Sequence, residues 1–353
     1  MVRSDPSLPI LVLALLGAGL ATLSSAAPGG EFLRQLAFLG AALVLIAVIA
    51  WIGKRRILRY TPHLYVAALT LLVLVRLFGT EVNGAQSWLY LGPLPGFQPS
   101  EFAKLALILA LAAVMHERPI EGARGYLRPL ALMLPPFALV FLEPDLGGAL
   151  VIAAIGGGML LVRGLPWRHL AVLALLTAVL FPSVVWPNLE PHQRTRIVSF
   201  MNPAADPQGS GYQVIQSTIA IGSGGLTGKG YGEGTQSQRG FIPYRHTDFI
   251  FPVLAEEGGF LGAMLLLGLY AALFWRLVAM AGECLYERDQ LIIIGVLVLI
   301  AFQVLVNIGV TLGLAPVTGI TLPLVSYGGT SLITTLTALA LAFVVHRDRY
   351  ADW

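Results

Sequence analysis

The chain of 353 residues is 56% hydrophobic and only 12% charged, with a formal net charge of +3. Soluble domains carry about 25% charged residues, so this composition excludes an ordinary soluble protein and describes one that crosses a membrane many times. Its single cysteine, Cys284, excludes a disulfide framework and a cysteine-based metal site.

An apolar run of roughly 20 residues spans the hydrocarbon as a helix. Ten such spans are legible, at about 8–27, 32–52, 63–78, 99–115, 127–142, 145–162, 167–186, 249–280, 290–313 and 326–346. The first, with its "LSSAAP", has the small-residue pattern of a signal-peptide cleavage site. Only Arg3 stands before it, beside Asp5, and many spans follow, so it reads as an uncleaved first helix. There is no tandem repeat, low-complexity tract or soluble domain. The expected fold is all-α: one transmembrane domain over 1–353, with ten helices and a long loop, 187–247, between the seventh and eighth. Helices are the only elements expected, because spanning strands would alternate in polarity.

Orientation follows from the basic residues. One set of ends and turns holds Arg3, Lys54, Arg55, Arg56, Arg59, Arg118, Arg124, Arg128, Arg163, Arg168, Arg276, Arg288, Arg347 and Arg349, fourteen of the 22. The other set has none in its turns at 143–144 and 314–325 or in the loop at 79–98. Both termini are therefore expected in the cytoplasm and the long loop outside. The basic residues act as topological anchors, not as a nucleic-acid surface.

Three outer stretches concentrate polar residues. In "GFQPSEFAKLALIL", 96–109, Pro99 and Glu101 suit a helix start, whereas Lys104 opposes the dipole. Either Lys104 pairs with Glu101 one turn away, or both flank an anionic ligand at the helix N-terminus. The long loop carries Arg194, Arg196 and Lys229 among glycine turns, with 212–221 suited to a short helix on the membrane. Its "GSGGLTGKG" resembles a phosphate loop, but Gly230 stands where a Walker A motif needs Ser or Thr. A glycine-rich loop accounts for it as well.

The third stretch, "FIPYRHTDFIFPVLAEEGG" at 241–259, gathers Arg245, His246, Asp248, Glu256 and Glu257 where the chain otherwise avoids charge. Ionisable groups near membrane depth usually face a cavity or a partner. Residues 258–275 already make a full apolar span, so Asp248 stands at the outer mouth of the eighth helix. Either Thr247 or Asp248 caps that helix, or Asp248 does chemistry. Pro252 is expected to bend the entrance. Glu256 and Glu257 read equally as interfacial anchors and as chemical groups.

Without a nucleotide-binding motif, a synthetic reaction on the outer face needs a donor activated in advance, and in a membrane that is a lipid-linked diphosphate. A glycosidase usually needs two carboxyl groups, one of them to protonate the leaving oxygen. A diphosphate leaves as a stable anion, so one carboxylate to deprotonate the attacking hydroxyl is enough, with cations to hold the departing charge.

The segments "QPSEFAK" (98–104), "NPAADPQGSGYQVIQSTIAIGSGGLTGKG" (202–230), "GTQSQRGFIPYRHTDFIFPVLAEEGG" (234–259) and "PLVSYGGTSL" (323–332) resemble the shape, elongation, division and sporulation (SEDS) family over nearly the whole chain. "GTQSQ" is similar to the elongation branch rather than the division branch, and Tyr244 stands where the family commonly has an acid. The resemblance implies a peptidoglycan glycosyltransferase that polymerises lipid II on the outer face of the cytoplasmic membrane. It would work with the elongation machinery and a class B penicillin-binding protein, the crosslinking transpeptidase. By the family's motifs Asp248 is the catalytic carboxylate. Glu101, Lys104, Arg194, Arg196 and Asp145 of the Glu143–Pro144–Asp145 turn match motif positions; Lys229 and His246 complete the substrate-binding candidates. A divalent cation, Mg or Mn, is implied by the resemblance only.

On this reading Asp248 activates the sugar hydroxyl of one lipid-linked disaccharide for attack on the anomeric carbon of another. Inversion there releases undecaprenyl diphosphate, with Lys104, Arg194 and Arg196 on the diphosphates. Rival readings stay open: a flippase for the same lipid, a scaffold that only positions the penicillin-binding protein, a lipid-sugar ligase, and a division-specific polymerase.

Overall fold

The computed structural model describes residues 6–27, 29–82, 85–90, 96–117, 125–166, 186–203, 206 and 209–350, with scattered positions between 168 and 183. The long helices are α1 (Ser7–Ala26), α2 (Gly30–Arg59), α3 (Thr61–Phe78), α4 (Pro99–Glu117), α5 (Leu127–Leu142) and α6 (Leu146–Val162). Between α6 and the C-terminal helices lie the shorter α7 (Pro191–Met201), α8 (Ser210–Ser223) and α9 (Thr235–Gln238). The chain then closes with α10 (Ile250–Gly282), α11 (Glu287–Thr311) and α12 (Gly329–Arg347). Seven of the described helices are long and apolar enough to cross a membrane, and α5 and α6 are shorter apolar helices. The protein is thus a multi-pass membrane protein. The expected span at 167–186 lies largely outside the described residues.

The expectation of helices alone fails at one place. Between α3 and α4, β1 (Thr80–Val82) and β2 (Ala85–Trp88) form an antiparallel hairpin, extended by an isolated bridge from Leu89 to Phe97. A hairpin that stands clear of the hydrocarbon does not need the closed barrel that spanning strands require.

Helix burial separates inside from outside. About 78% of the span of α4 is buried against 11% of that of α2. The interior is built by α4, α11 and α12, with α6 packed on α11 and α2 on α12. Lys54 of α2 and Asp289 of α11, both fully buried, pair at 2.8 Å at the end of the bundle remote from α2's start.

Helix 10 begins at Ile250, with Phe249 as its N-cap and no side-chain capping hydrogen bond. The capping reading of Thr247 and Asp248 is therefore not realised. Pro252 falls in the first turn, where its missing N–H costs nothing, and the kink lies instead at Gly259 (φ 65°). Gly259 is bent because another backbone crosses there. A Cβ on it would meet Gly228 N at 2.2 Å, and one on Gly228 would meet Glu257 O at 2.0 Å. Lys229 and Gly230 donate their amides to the carbonyls of Glu256 and Glu257, while Phe260 and Leu261 donate to Gly225 and Leu226. The glycines of "GSGGLTGKG" thus permit close backbone contact with α10. The helix expected at 212–221 forms as α8, which packs on α10 and α11, with Ser217 Oγ donating to Thr311 O at 2.6 Å.

Candidate active site

Asp248 keeps part of its side chain accessible, in the turn that leads into α10. Three successive carbonyls of that turn are held from one side. The Tyr327 amide donates to His246 O at 2.8 Å, Ser326 Oγ to Thr247 O at 2.6 Å, and Asn307 Nδ2 to Asp248 O at 2.9 Å. Asn307, buried in α11, also donates to Ile320 O at 2.7 Å. Gln35 of α2 grips the other side of the same loop, donating to Ser326 O at 3.1 Å and accepting from Gly328 N at 3.2 Å. "PLVSYGG" is therefore a clamp on "HTD". It fixes the backbone of Asp248 and leaves the carboxylate free of that work.

The carboxylate faces bare backbone. A Cβ built on Gly319 would stand 3.9 Å from Asp248 Oδ2 and 4.0 Å from Arg196 Nη1, so the acid and a guanidinium from α7 flank the same gap. Burial raises the Asp248 pKa to about 6, against the pull of Arg196. A carboxyl so tuned is a better proton acceptor than an ordinary aspartate, yet is still ionised at neutral pH.

A second acidic node adjoins it. Asp145 caps α6, accepting from Gly148 N at 2.8 Å and from Gln98 Nε2 at 3.3 Å. Its pKa is raised by burial and opposed by the Gly148 amide and Lys104, with Arg196 acting on it as well. Arg196 thus serves both carboxylates. Gln193 of α7 donates to Pro144 O at 3.2 Å, which ties α7 to the turn. Glu143 is wholly buried, with no hydrogen-bond partner for either oxygen. Burial, then the neighbouring Asp145, pushes its pKa to about 8, so it is protonated at neutral pH.

The other candidates divide. Lys104 and Glu101 are buried and paired at 2.6 Å, the i,i+3 explanation, and their charges act on Asp145. Arg194 points elsewhere, donating to Pro187 O at 2.7 Å; residues two apart on a helix do not share a face. His246 packs against Tyr327, and burial lowers its pKa, so it stays neutral. Lys229 is engaged by Ser223, Thr235 and the buried Glu256, the last at 2.7 Å. Glu256 and Glu257, read as interfacial anchors, are in fact internal. Glu256 also accepts from the Gln236 and Ser237 amides, while Glu257 accepts from Ser25 and Gln238. The residues missed by sequence reading are Asn307, Gln193 and Glu143 as a buried acid. A lone Asn inside an apolar span is itself a signal, and Asn307 supplied it.

Beside Arg196 lies a cavity of about 220 Å³, otherwise mostly apolar, between α7, α8 and residues 313–317. Among the described residues no group of three or more His, Cys, Asp or Glu side chains comes together to hold a metal.

The cell cycle protein family that includes FtsW, RodA and SpoVE matches residues 10–351. The chain is 39% identical to the peptidoglycan glycosyltransferase MrdB of Escherichia coli K12, over 99% of this chain and 95% of that one. It is 38% identical to the stage V sporulation protein E of Bacillus subtilis, over 91% and 87%. Among solved structures, Thermus thermophilus rod shape determining protein RodA is 42% identical over 99% of both chains, with a TM-score of 0.78. A chain from a structure titled for the coordination of polymerization and crosslinking by a peptidoglycan synthase complex is 48% identical over the whole of both chains, with a TM-score of 0.88. With its helices, its clamped "HTDFIF" turn and these likenesses along its whole length, the chain belongs to the FtsW, RodA and SpoVE family, the SEDS proteins.

Proposed function

We propose that the protein is a peptidoglycan glycosyltransferase that polymerises lipid II during cell elongation, with Asp248 as the general base. The observation that carries the reading is that Asp248 and Arg196 both face the gap over Gly319, with the Asp248 backbone held in a run of three consecutive carbonyls. Asp248 takes the proton from the attacking sugar hydroxyl as that oxygen bonds to the anomeric carbon of the donor. The carbon inverts, and the bond to the diphosphate breaks. Arg196 stands where the leaving charge develops, and a preorganised cation there lowers the barrier without reorganising water. Asp145 holds the start of α6, and its charge and that of Arg196 act on each other. The groove beside Arg196 suits the apolar chain next to a diphosphate.

The reading places the protein in the cytoplasmic membrane, with both termini inside and 187–247 forming the outer face. The partner is a class B penicillin-binding protein. Mg²⁺ is commonly bound by one or two carboxylates together with substrate phosphates. A divalent cation would therefore arrive with the diphosphate, and no step is assigned to it.

The test is glycan-ladder formation from lipid II by the purified protein with its partner and with crosslinking blocked. Ladders are expected; their absence with wild-type protein overturns the reading. Because the base must be ionised, the rate is expected to climb about tenfold per pH unit below pH 6 and to level off above it, as measured by initial rates. A flat profile between pH 5 and 7 would remove Asp248 as the base. Asn307→Ala frees two carbonyls of the clamp, and small misplacements of a reacting group cost about 100-fold. Initial rates with this variant are expected to fall on that order, with lipid II affinity retained.

A further inference from the structure

Glu143 ends α5 just before α6 begins, and the proposed reaction gives it no work. Its carboxyl is fully buried, and neither oxygen has a hydrogen-bond partner among the described residues. A buried carboxylate is stable only where donors or a counter-charge hold it. No donor is supplied here, and the repulsion of Asp145 outweighs the pull of Arg76 on α3. The Arg76 guanidinium donates to Gln86 Oε1 of β2 at 3.0 Å, so its hydrogen bond goes elsewhere. The turn itself is tied down. Gln193 Nε2 of α7 donates to Pro144 O, and the Asp145 amide to Val140 O at 3.3 Å.

Asp145 has the opposite surroundings. It accepts from Gly148 N and Gln98 Nε2, and Lys104, Glu101 and Arg196 all act on it. The two carboxyls share one node, and its hydrogen-bond donors go to Asp145. Such a node supports one negative charge and resists a second, because like charges in one site ionise in separate steps. Arg196 acts on Asp248 as well, and in the proposed reaction it meets a diphosphate. A second negative charge at the node would draw on Arg196 and repel that anion.

We propose that Glu143 is a positioning residue for substrate binding, a neutral acid that fills the turn without adding charge. Asp145 alone then balances Arg196, and the guanidinium keeps its pull on the diphosphate. This inference rests on the glycosyltransferase reading.

The test is KM and kcat for lipid II in the ladder assay at pH 7 and pH 9, with wild type and Glu143→Gln each joined to its partner. A group with a pKa of about 8 is about 90% ionised at pH 9. With lipid II binding only to the protonated form, wild-type KM is expected to rise about tenfold from pH 7 to pH 9. The kcat is expected to stay level, because saturating substrate returns the proton to Glu143. Glutamine keeps the shape and does not ionise, so in Glu143→Gln the KM ratio between the two pH values is expected to be about one.

A wild-type KM that stays flat overturns the proposal. An alkaline rise that persists in Glu143→Gln belongs to another group and also overturns it. A purely structural acid would lower the melting temperature at pH 9 and leave KM unmoved, a third refuting result. Should Glu143→Gln not fold, Glu143→Met, uncharged and of similar length, is read in the same way. Ladders at pH 7 with a flat KM refute only this role of Glu143, whereas wild type without ladders at pH 7 refutes the glycosyltransferase reading.

Discussion

Asp248→Asn is expected to lower glycan polymerisation by about 10²–10⁴-fold, the usual contribution of a positioned general base, while the protein becomes no less stable. The first half follows from its proposed role as the base, the second from the elevation of its pKa to about 6 by burial. The folded state binds the proton more tightly than the unfolded chain does. Below the ordinary carboxylate range the side chain costs nothing. As pH rises through about 6 the native state must hold a poorly solvated anion, and stability is lost. At pH 8 that cost is up to about 3 kcal/mol for a shift of roughly two units, and asparagine removes it. Thermal unfolding in detergent at pH 8 should therefore show Asp248→Asn melting at or above wild type, and ladder assays should show almost no product. Substantial ladders from this variant would refute the base assignment. Lost ladders with a sharply lowered melting temperature would make the residue structural.

Glu256→Ala is expected to do the reverse, acting on the fold and not on the chemistry. Its fully buried carboxylate holds Lys229, Thr235 and the amides of Gln236 and Ser237. Removing one partner of a buried ion pair typically costs about 3–5 kcal/mol, and here two amides would also lose their acceptor. The expected result is a large fall in melting temperature and in yield of folded protein, with loosening of residues 223–238. Hydrogen exchange of those amides measures it. Glu256→Gln keeps an acceptor and should recover part of the loss. Unchanged exchange in Glu256→Ala would show that the hub does not order the loop.

The contrast between these two acids marks where sequence reading reached its limit. Asp248 and Glu256 lie two helical turns apart in the same unusual stretch, and both are carboxylates amid apolar residues. Composition marked the stretch, and resemblance to a family picked out Asp248. Spacing alone left it equal between cap and chemistry, because a helix start accepts an acid in either role. The structure separates them by their partners. Glu256 is saturated with donors, whereas Asp248 has its backbone clamped and its carboxylate turned toward Arg196. Lys229 shows the same limit. In the sequence it was one of the chain's three lysines, set on a glycine-rich loop; in the fold it is the counter-ion of Glu256. Arg194 and Arg196 looked alike until α7 turned them to different faces.

The chain's own order of residues determined the solvent, the positions of the spans and the stretches where polar groups collect. Those properties are local: a run of apolar residues is forced to be helical in hydrocarbon whatever surrounds it, since its amides have no other partners. Which acid works, which arginine meets it, and how "PLVSYGG" clamps "HTD" were decided only by tertiary structure. They depend on contacts such as Asn307 to Asp248, made between segments far apart in the chain, and no one-dimensional pattern encodes the distance between them.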